Sequence, residues 1–298
     1  MERILRYEIT QTADEKKIKD FLAERGYSSE VIKKLKKMEE SVLVNGKWEY
    51  MDQRLHVGDE LVIHIKEDAS SEKIPPVQQS FEIVYEDEDI MVINKPADMP
   101  IHPSLNNYEN SLANGLAYYF AQKNIPFTFR CVNRLDRDTS GLTIIAKHML
   151  SAGILSAQIV NREIHREYRA IVRGSLPHKE GIIDVPIGRK EASIIERMVD
   201  FENGERAVTH YRVVEEKNGH SLISLWLETG RTHQIRVHMK HLGFPLIGDY
   251  IYNQDFEHMS RQALHSYKLV FTHPITCEKM EFVCEVPQDF RDVLGKQA

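Results

Sequence analysis

Two short stretches hold residues whose types and spacing could do chemistry. The first is Asn133-Arg134-Leu135-Asp136-Arg137-Asp138-Thr139-Ser140-Gly141-Leu142, which opens the apolar run Leu142-Thr143-Ile144-Ile145-Ala146. Two carboxylates, two arginines and three small residues before a buried strand describe a loop, and loops on rigid sheets are where reactive side chains concentrate. A carboxylate flanked by guanidinium groups stays ionised, so it could attack as a nucleophile or stabilise a cationic centre. On composition alone a structural Arg–Asp cluster is the commoner meaning of such a stretch. The second is Thr229-Gly230-Arg231-Thr232-His233-Gln234-Ile235-Arg236-Val237-His238, after the apolar run Leu222–Leu227. Gly230 allows a turn, and Arg231, His233 and Arg236 offer donors. If residues 233–240 are helical, Arg236 and Lys240 lie four apart on one face, where such donors suit phosphates; an ordinary basic surface has the same look.

Other chemistries find less support. His233, His238 and His241 match no standard zinc spacing, and no nearby Asp, Glu or Cys completes a set. The 15 glycines are scattered and form no nucleotide-binding loop. The three cysteines, Cys131, Cys277 and Cys284, suggest neither a disulfide framework nor a zinc site, and reduced, mostly buried thiols are expected. With 42% hydrophobic and 28% charged residues the composition is that of a soluble globular protein. No apolar run would span a bilayer, and the first residues lack the core of a signal peptide. A cytoplasmic monomer without membrane attachment is the expectation. The formal net charge of −6 counts against a uniformly basic nucleic-acid binder, but it permits a local basic face.

These stretches must be positioned by the elements around them. In the first 66 residues, Asp14 or Thr12 is expected to cap a helix through Lys16–Arg25, with Ile18, Phe21 and Leu22 at helical spacing and Gly26 as its stop. Ser28 or Ser29 caps a second helix. There Val31, Ile32 and Leu35 face one way, while Lys33, Lys34, Lys36 and Lys37 crowd the rest. From charge alone a solvated face is the commoner meaning of those lysines. Asn45-Gly46 signals a hairpin after Ser41–Val44, and Glu60–Ile65 alternates as a half-buried strand does. Residues 67–80 are polar, contain Pro75-Pro76 and read as a linker. Phe81–Glu86 and Ile90–Asn94 read as paired strands around an acidic, solvated turn, Glu86–Asp89. Helices are expected near 108–123 and 149–163. Runs of strands with interspersed helices argue for an α+β domain.

The N-terminal segment resembles the S-four RNA-binding module, an αL-type motif, through Phe21-Leu22-Ala23-Glu24-Arg25-Gly26, Val42-Leu43-Val44-Asn45-Gly46 and Val57-Gly58-Asp59-Glu60-Leu61. The family's second helix is rich in Arg and poor in acids, whereas Glu39 and Glu40 follow the lysines here. The rest of the chain resembles the RluA/RluD family of pseudouridine synthases. The resemblance is carried by Val92-Ile93-Asn94-Lys95-Pro96-Ala97 with His102-Pro103, Arg134-Leu135-Asp136 with Thr139-Ser140-Gly141-Leu142, and Tyr168-Arg169-Ala170 with Val172 and Gly174. It continues through Thr229–His238, Gly248-Asp249 with Tyr252, Leu264-His265 and His273-Pro274, in order and at family spacing. Two positions depart from the pattern. Asn133 stands where most members have His, with a possible effect on RNA positioning. Asp98 stands where Gly follows Lys-Pro-Ala, with an expected effect on the loop, since Gly tolerates backbone angles that Asp adopts less readily.

The resemblance implies an S-four-like module over 1–66, a linker over 67–80 and a catalytic domain over 81–298. The catalytic domain is expected to be a central, largely antiparallel mixed β-sheet with flanking helices. It implies isomerisation of uridine to pseudouridine in structured RNA, with no cofactor and no metal. Asp136 is the implied catalytic carboxylate, Arg236 contacts it, and Tyr168 stacks on the flipped base and assists proton removal. Ile235 lines the base pocket, Arg134 and Arg231 hold phosphates, and His233 and Gln234 join the substrate site. Lys33, Lys34, Lys36 and Lys37 are the implied RNA contacts of the module. Large-subunit ribosomal RNA is the first expectation for the substrate and transfer RNA the second. A non-catalytic RNA-binding assembly factor and an N-glycosidic hydrolase are the rival readings.

Overall fold

The computed structural model describes residues 1–105, 107–191 and 193–295. The chain opens with β1 (Glu2–Glu8), α1 (Ile18–Glu24), α2 (Ser29–Lys37), β2 (Val42–Val44), β3 (Lys47–Trp48) and β4 (Glu60–Lys66). The strands form one sheet in the order β1-β4-β2-β3. β1 is an edge strand with only Leu5 fully buried, which is why its charged sequence gave no strand signal. Asn45 and Gly46 both take left-handed angles, φ 49° and 77°, as a tight hairpin turn requires. Ser28 caps α2 by accepting from Val31 N. The expected cap on α1 is absent: the residue before it is Lys17, with no side-chain bond. Asp14 accepts from Val57 N instead, because a 3-10 turn over Gln11–Ala13 places it ahead of the helix.

The larger part continues with β5 (Glu82–Glu86), β6 (Ile90–Lys95), α3 (Leu112–Gln122), β7 (Ser140–Ala146), α4 (Met149–Val160), β8 (His165–Arg173), β9 (Glu180–Asp184), β10 (Ile187–Arg189) and β11 (Arg197–Val199). It ends with β12 (Val208–Lys217), β13 (His220–Leu227), α5 (Gln234–His241), β14 (Leu264–Thr272), β15 (Lys279–Val283) and α6 (Gln288–Gly295). The main sheet runs β5-β6-β7-β14-β8-β13-β12-β9, with β15 beside β14. β7 and β14 are parallel and the other pairs antiparallel. This is an α+β fold on a largely antiparallel mixed sheet. Every residue of β7 is buried, so the strand that follows Asp136 lies at the centre of the sheet.

Helix α4 explains how the two parts meet. Its sequence, MLSAGILSAQIV, is apolar nearly all round, as expected of a helix covered on more than one side. Met149 and Leu150 pack into the core of the first sheet, and Leu155 packs against the main sheet. A Cβ on Gly26 would lie 3.0 Å from Ile154.

The acidic turn is solvated only at Glu88, while its other carboxylates are drawn into the fold. Asp89 is buried, accepts from Arg3 Nε at 2.8 Å and lies 2.8 Å from His148 Nε2. Glu86 holds Lys147, and Asp87 holds His273. Clustered acids are expected at the surface only until partners arrive from distant sequence, and here they come from residues 3, 147, 148 and 273.

Residues 67–80 carry no helix or strand but are strapped to the main sheet's flank. Ser71 N donates to Phe127 O, Val77 N to Asn114 O, and Asn114 Nδ2 to Pro75 O. Among the described cysteines none is paired, and Cys277 is exposed rather than buried. No helix among the described residues is long and apolar enough to cross a membrane.

Candidate active site

Asp136 stands on the loop before β7, where Thr139 N donates to Asp136 O at 3.1 Å and closes a turn. Three features hold this loop. Gly141 has φ 104°, and a Cβ there would lie 2.3 Å from Ser266 O, so only glycine lets β7 start this close to β14. Asn133 is buried; its Oδ1 accepts from Ile144 N at 2.8 Å and its Nδ2 donates to Leu142 O. Its amide therefore braces the loop from beneath, so any effect of this departure on RNA runs through the loop rather than through a free side chain. Lys95 is fully buried and its Nζ donates to the carbonyls of Pro96, Met99 and Arg137 at 2.7–2.9 Å. That ammonium ties the leading motif to the catalytic loop. Asp98 adopts φ 55°, the left-handed angle a glycine would take, so the substitution keeps the turn.

The other arm is α5. His233 sits before it at φ 58°, a strained angle for a non-glycine residue. Tyr252 OH accepts from Arg197 N at 2.8 Å and lies 2.9 Å from His233 Nδ1. The hydroxyl holds the Nδ1 edge of the ring, and Nε2 on the opposite edge faces Asp136 Oδ2, 3.8 Å away. Burial pushes the His233 pKa below its usual value, so the ring is neutral near pH 7.

Arg236 is 2% exposed and makes the central contact of the site. Its Nη1 donates to Asp136 Oδ2 at 2.9 Å. Its Nε and Nη2 fork onto Asp249 at 2.7 Å each. Burial works against its charge, yet the two carboxylates outweigh it and raise the pKa further. Arg236 therefore cannot serve a phosphate; the helix does put it and Lys240 over the Tyr252 ring together, but only Lys240 reaches solvent. Asp249 was quoted from the sequence only as part of a motif. Its role was invisible there, because 13 residues and a turn at Gly248 separate it from Arg236. A Cβ on Gly248 would lie 2.0 Å from Arg261 O.

Tyr168, Ile235, Leu135, Leu225 and Leu264 share one buried cluster beside Asp136. Burial raises the Tyr168 pKa, and Arg166 opposes the shift. Gln234 takes no part in substrate contact through its amide. Oε1 accepts from Thr229 Oγ1 and Arg231 N, and Nε2 donates to Val208 O and Thr209 Oγ1. All its capacity goes to fixing the loop. Arg231 is paired with Glu205, while Arg134 is exposed without an ion-pair partner among the described residues. The carboxylate itself is 27% exposed and faces a cleft of about 840 Å³ that also reaches Ile101, Val160, Arg162 and Arg166. His238, an apparent metal candidate, has both ring nitrogens occupied by Thr209 Oγ1 and Val185 O.

Residues 89–241 match the family model described as RNA pseudouridylate synthase. The chain is 39% identical over 277 residues to an uncharacterized RNA pseudouridine synthase, YjbO, of Bacillus subtilis, covering 93% of this chain and 98% of that protein. It is 42% identical over 230 residues to the ribosomal large subunit pseudouridine synthase D of Zymomonas mobilis, covering 72% of each.

The chain belongs to the RNA pseudouridylate synthase family. Among solved structures, the human RNA pseudouridylate synthase domain containing 1 superposes with a TM-score of 0.59 at 28% identity, over 72% of this chain and 86% of that one. The protein is thus an enzyme, an isomerase that converts uridine to pseudouridine in RNA. Within the family's fold, the structure brings Asp136, Arg236, Tyr168, Ile235 and His233 to one cleft. Lys33, Lys34, Lys36 and Lys37 lie apart from that cleft, exposed on α2. The sequence reading missed Asp249, Tyr252 and Arg166. For Arg166 a signal was present, a basic residue two positions before Tyr168 and hence on the same face of the strand.

Proposed function

We propose that Asp136 acts at the ribose anomeric carbon of a uridine flipped out of structured RNA, with large-subunit ribosomal RNA as the substrate. The observation that carries this is the Asp136–Arg236–Asp249 chain: one carboxylate held at 2.9 Å by a buried guanidinium and still open to the cleft. In the reaction the bond from uracil N1 to the anomeric carbon breaks and a bond to carbon five forms. Carbon five loses a proton and N1 gains one, so no electrons are exchanged with any other group. A carboxylate can stabilise or capture the oxocarbenium-like centre, as in glycosidases.

Tyr168 lies along the base pocket with Ile235, where its ring would stack on uracil and its phenol would take part in proton removal. Arg134 stands at the mouth of the site, where it would hold a phosphate; Arg231, tied to Glu205, contributes less. Extruding the uridine costs a few kcal/mol, least in loops and bulges, which favours structured RNA with an unpaired target.

The ribosomal assignment is supported by curated relatives named for the large ribosomal subunit. On this reading the enzyme is a cytoplasmic monomer that needs no metal or cofactor, and chelation should leave its turnover unchanged. The first 66 residues form an RNA-binding module. Lys16, Lys17 and Lys19 are paired with Glu24 and Asp52, and Lys34 with Glu30. Lys33, Lys36 and Lys37 have no ion-pair partner among the described residues. Trp48 and Tyr50 lie exposed beside Lys36, an arrangement suited to unpaired nucleotides.

The test is pseudouridine mapping of total RNA from cells lacking the protein, complemented with wild type or Asp136→Asn. Sites lost from large-subunit RNA, restored by wild type and not by the variant, are the expected result. Losses confined to transfer RNA would move the substrate there.

A further inference from the structure

We propose that Arg166 is a substrate-binding residue that grips a backbone phosphate flanking the flipped uridine; this rests on the reading of Asp136 given above. Five arginines line the cleft: Arg134, Arg162, Arg166, Arg197 and Arg231. Three are spent within the protein. Arg162 pairs with Glu228 and Arg231 with Glu205, while Arg197 donates to the carbonyls of Ile194, Ile195 and Glu196. No carboxylate among the described residues pairs with Arg166, and its Nε is buried without any partner.

A buried guanidinium N–H left unmade is costly, and such exceptions in a well-packed site ask for a ligand. The position selects the ligand. The space around Asp136 has an inner part, walled by Tyr168, Ile235 and Leu264, and the wider cleft outside it. Arg166 lines both. A base lodged against Tyr168 leaves its sugar and phosphates at that seam. Gly230 lies beside that guanidinium: a Cβ there would come into van der Waals contact with Arg166 Nη1 at 3.4 Å.

Charge agrees. Asp136 and Asp249 against Arg236 leave one net negative charge on the inner site. Arg134 from the loop before β7 and Arg166 from β8 add two positive charges that no carboxylate among the described residues neutralises, and an inserted nucleotide brings two flanking phosphates. The planar fork of Arg suits a phosphate oxygen pair better than Lys does.

The experiment follows tritium release from uracil carbon five, using bulk RNA from cells lacking the protein, across a salt series. Arg166→Gln should raise KM roughly 10-fold to 100-fold, as expected for a lost charged hydrogen bond, and flatten the log KM against log salt slope by roughly 0.7. Turnover at saturating RNA should change less. Arg166→Lys should keep the wild-type slope with a several-fold higher KM, and it carries the test if the Gln variant melts early. Unchanged KM and slope in Arg166→Gln, or a wild-type KM in Arg166→Lys, would overturn the proposal. So would a loss of turnover at saturating RNA with the slope intact, since Arg166 would then act on Tyr168 or the base. Failure of the underlying reading looks different: Asp136→Asn would stay active, or wild type would release no tritium, which overturns both.

Discussion

Two regions of this molecule bury acids against bases, and they do so to opposite ends. In the turn between β5 and β6, Asp89 is enclosed by Arg3 and His148, and neither it nor the ring of His148 reaches solvent. In the loop before β7, Asp136 is held by an equally buried Arg236, yet 27% of its side chain faces the cleft. The first region is a closed clasp between the two sheets; the second is an ion pair left open on one side. An acid paired to a base therefore does not mark a reactive centre. A rigidly aimed carboxylate beside unfilled space and unpaired cations does. The same contrast separates Arg236, neutralised by two carboxylates, from Arg166, neutralised by none.

The largest expected effect tests the contrast directly. Asp136→Asn should bring turnover to background with near-normal RNA binding, whereas Asp89→Asn should leave turnover at saturating RNA within a few-fold of wild type. Tritium release and filter binding on the same RNA measure both. Asp138→Asn belongs with the mild set, because Asp138 holds the half-exposed Arg137 and not the cleft. Substantial activity in Asp136→Asn would remove the distinction between the regions altogether.

Asp249→Asn comes next. It leaves Arg236 buried with one carboxylate instead of two, and breaking a buried pair of this kind costs about 3 kcal/mol. Urea denaturation should record that loss, together with a turnover well below that of Asp89→Asn, since Asp136 is aimed through Arg236. Full turnover in a destabilised Asp249→Asn would mean that the guanidinium is held well enough by its helix.

The clasp should show itself in acid. Burial opposes ionisation of Asp89, but the hydrogen bonds from His148 and Arg3 outweigh it and hold its pKa at about 2. The unfolded chain then binds the extra proton, so stability rises with pH across this window. The contribution is complete above about pH 5 and is lost as pH falls from near 4 towards 2. The difference in unfolding free energy between wild type and Asp89→Asn should shrink over that range; a constant difference would show that Asp89 is not paired as an ion.

The smallest effect concerns α2. Replacing Lys33, Lys36 and Lys37 by Gln should flatten the salt dependence of RNA binding, by roughly 0.7 to 0.9 per lost phosphate contact, with turnover at saturation little changed. Lys34→Gln should do less, because Glu30 already competes for it. Wild-type slopes in all four single variants would reduce these lysines to a solvated face.

Much of this was legible in the chain itself. Local periodicity gave α2 with its Ser28 cap, the Asn45-Gly46 hairpin and the central strand after Gly141, because each is decided by residues within a few positions of one another. The motif residues likewise named Asp136, Tyr168 and Arg236, since their order along the chain survives whatever the fold does. What local sequence could not give was pairing over distance. Asp14 lost its cap to Val57, the Glu86–Asp89 turn became a clasp solvated only at Glu88, and Gln234 was consumed by Thr229, Val208 and Thr209. Whether a polar side chain is free to meet a substrate depends on which partners the rest of the fold brings within about 3 Å. Types and spacing are properties of the chain. Burial and the occupancy of each donor are properties of the packed molecule, and they alone separate Arg236, already spent on Asp136 and Asp249, from Arg166, whose Nε still waits for an acceptor.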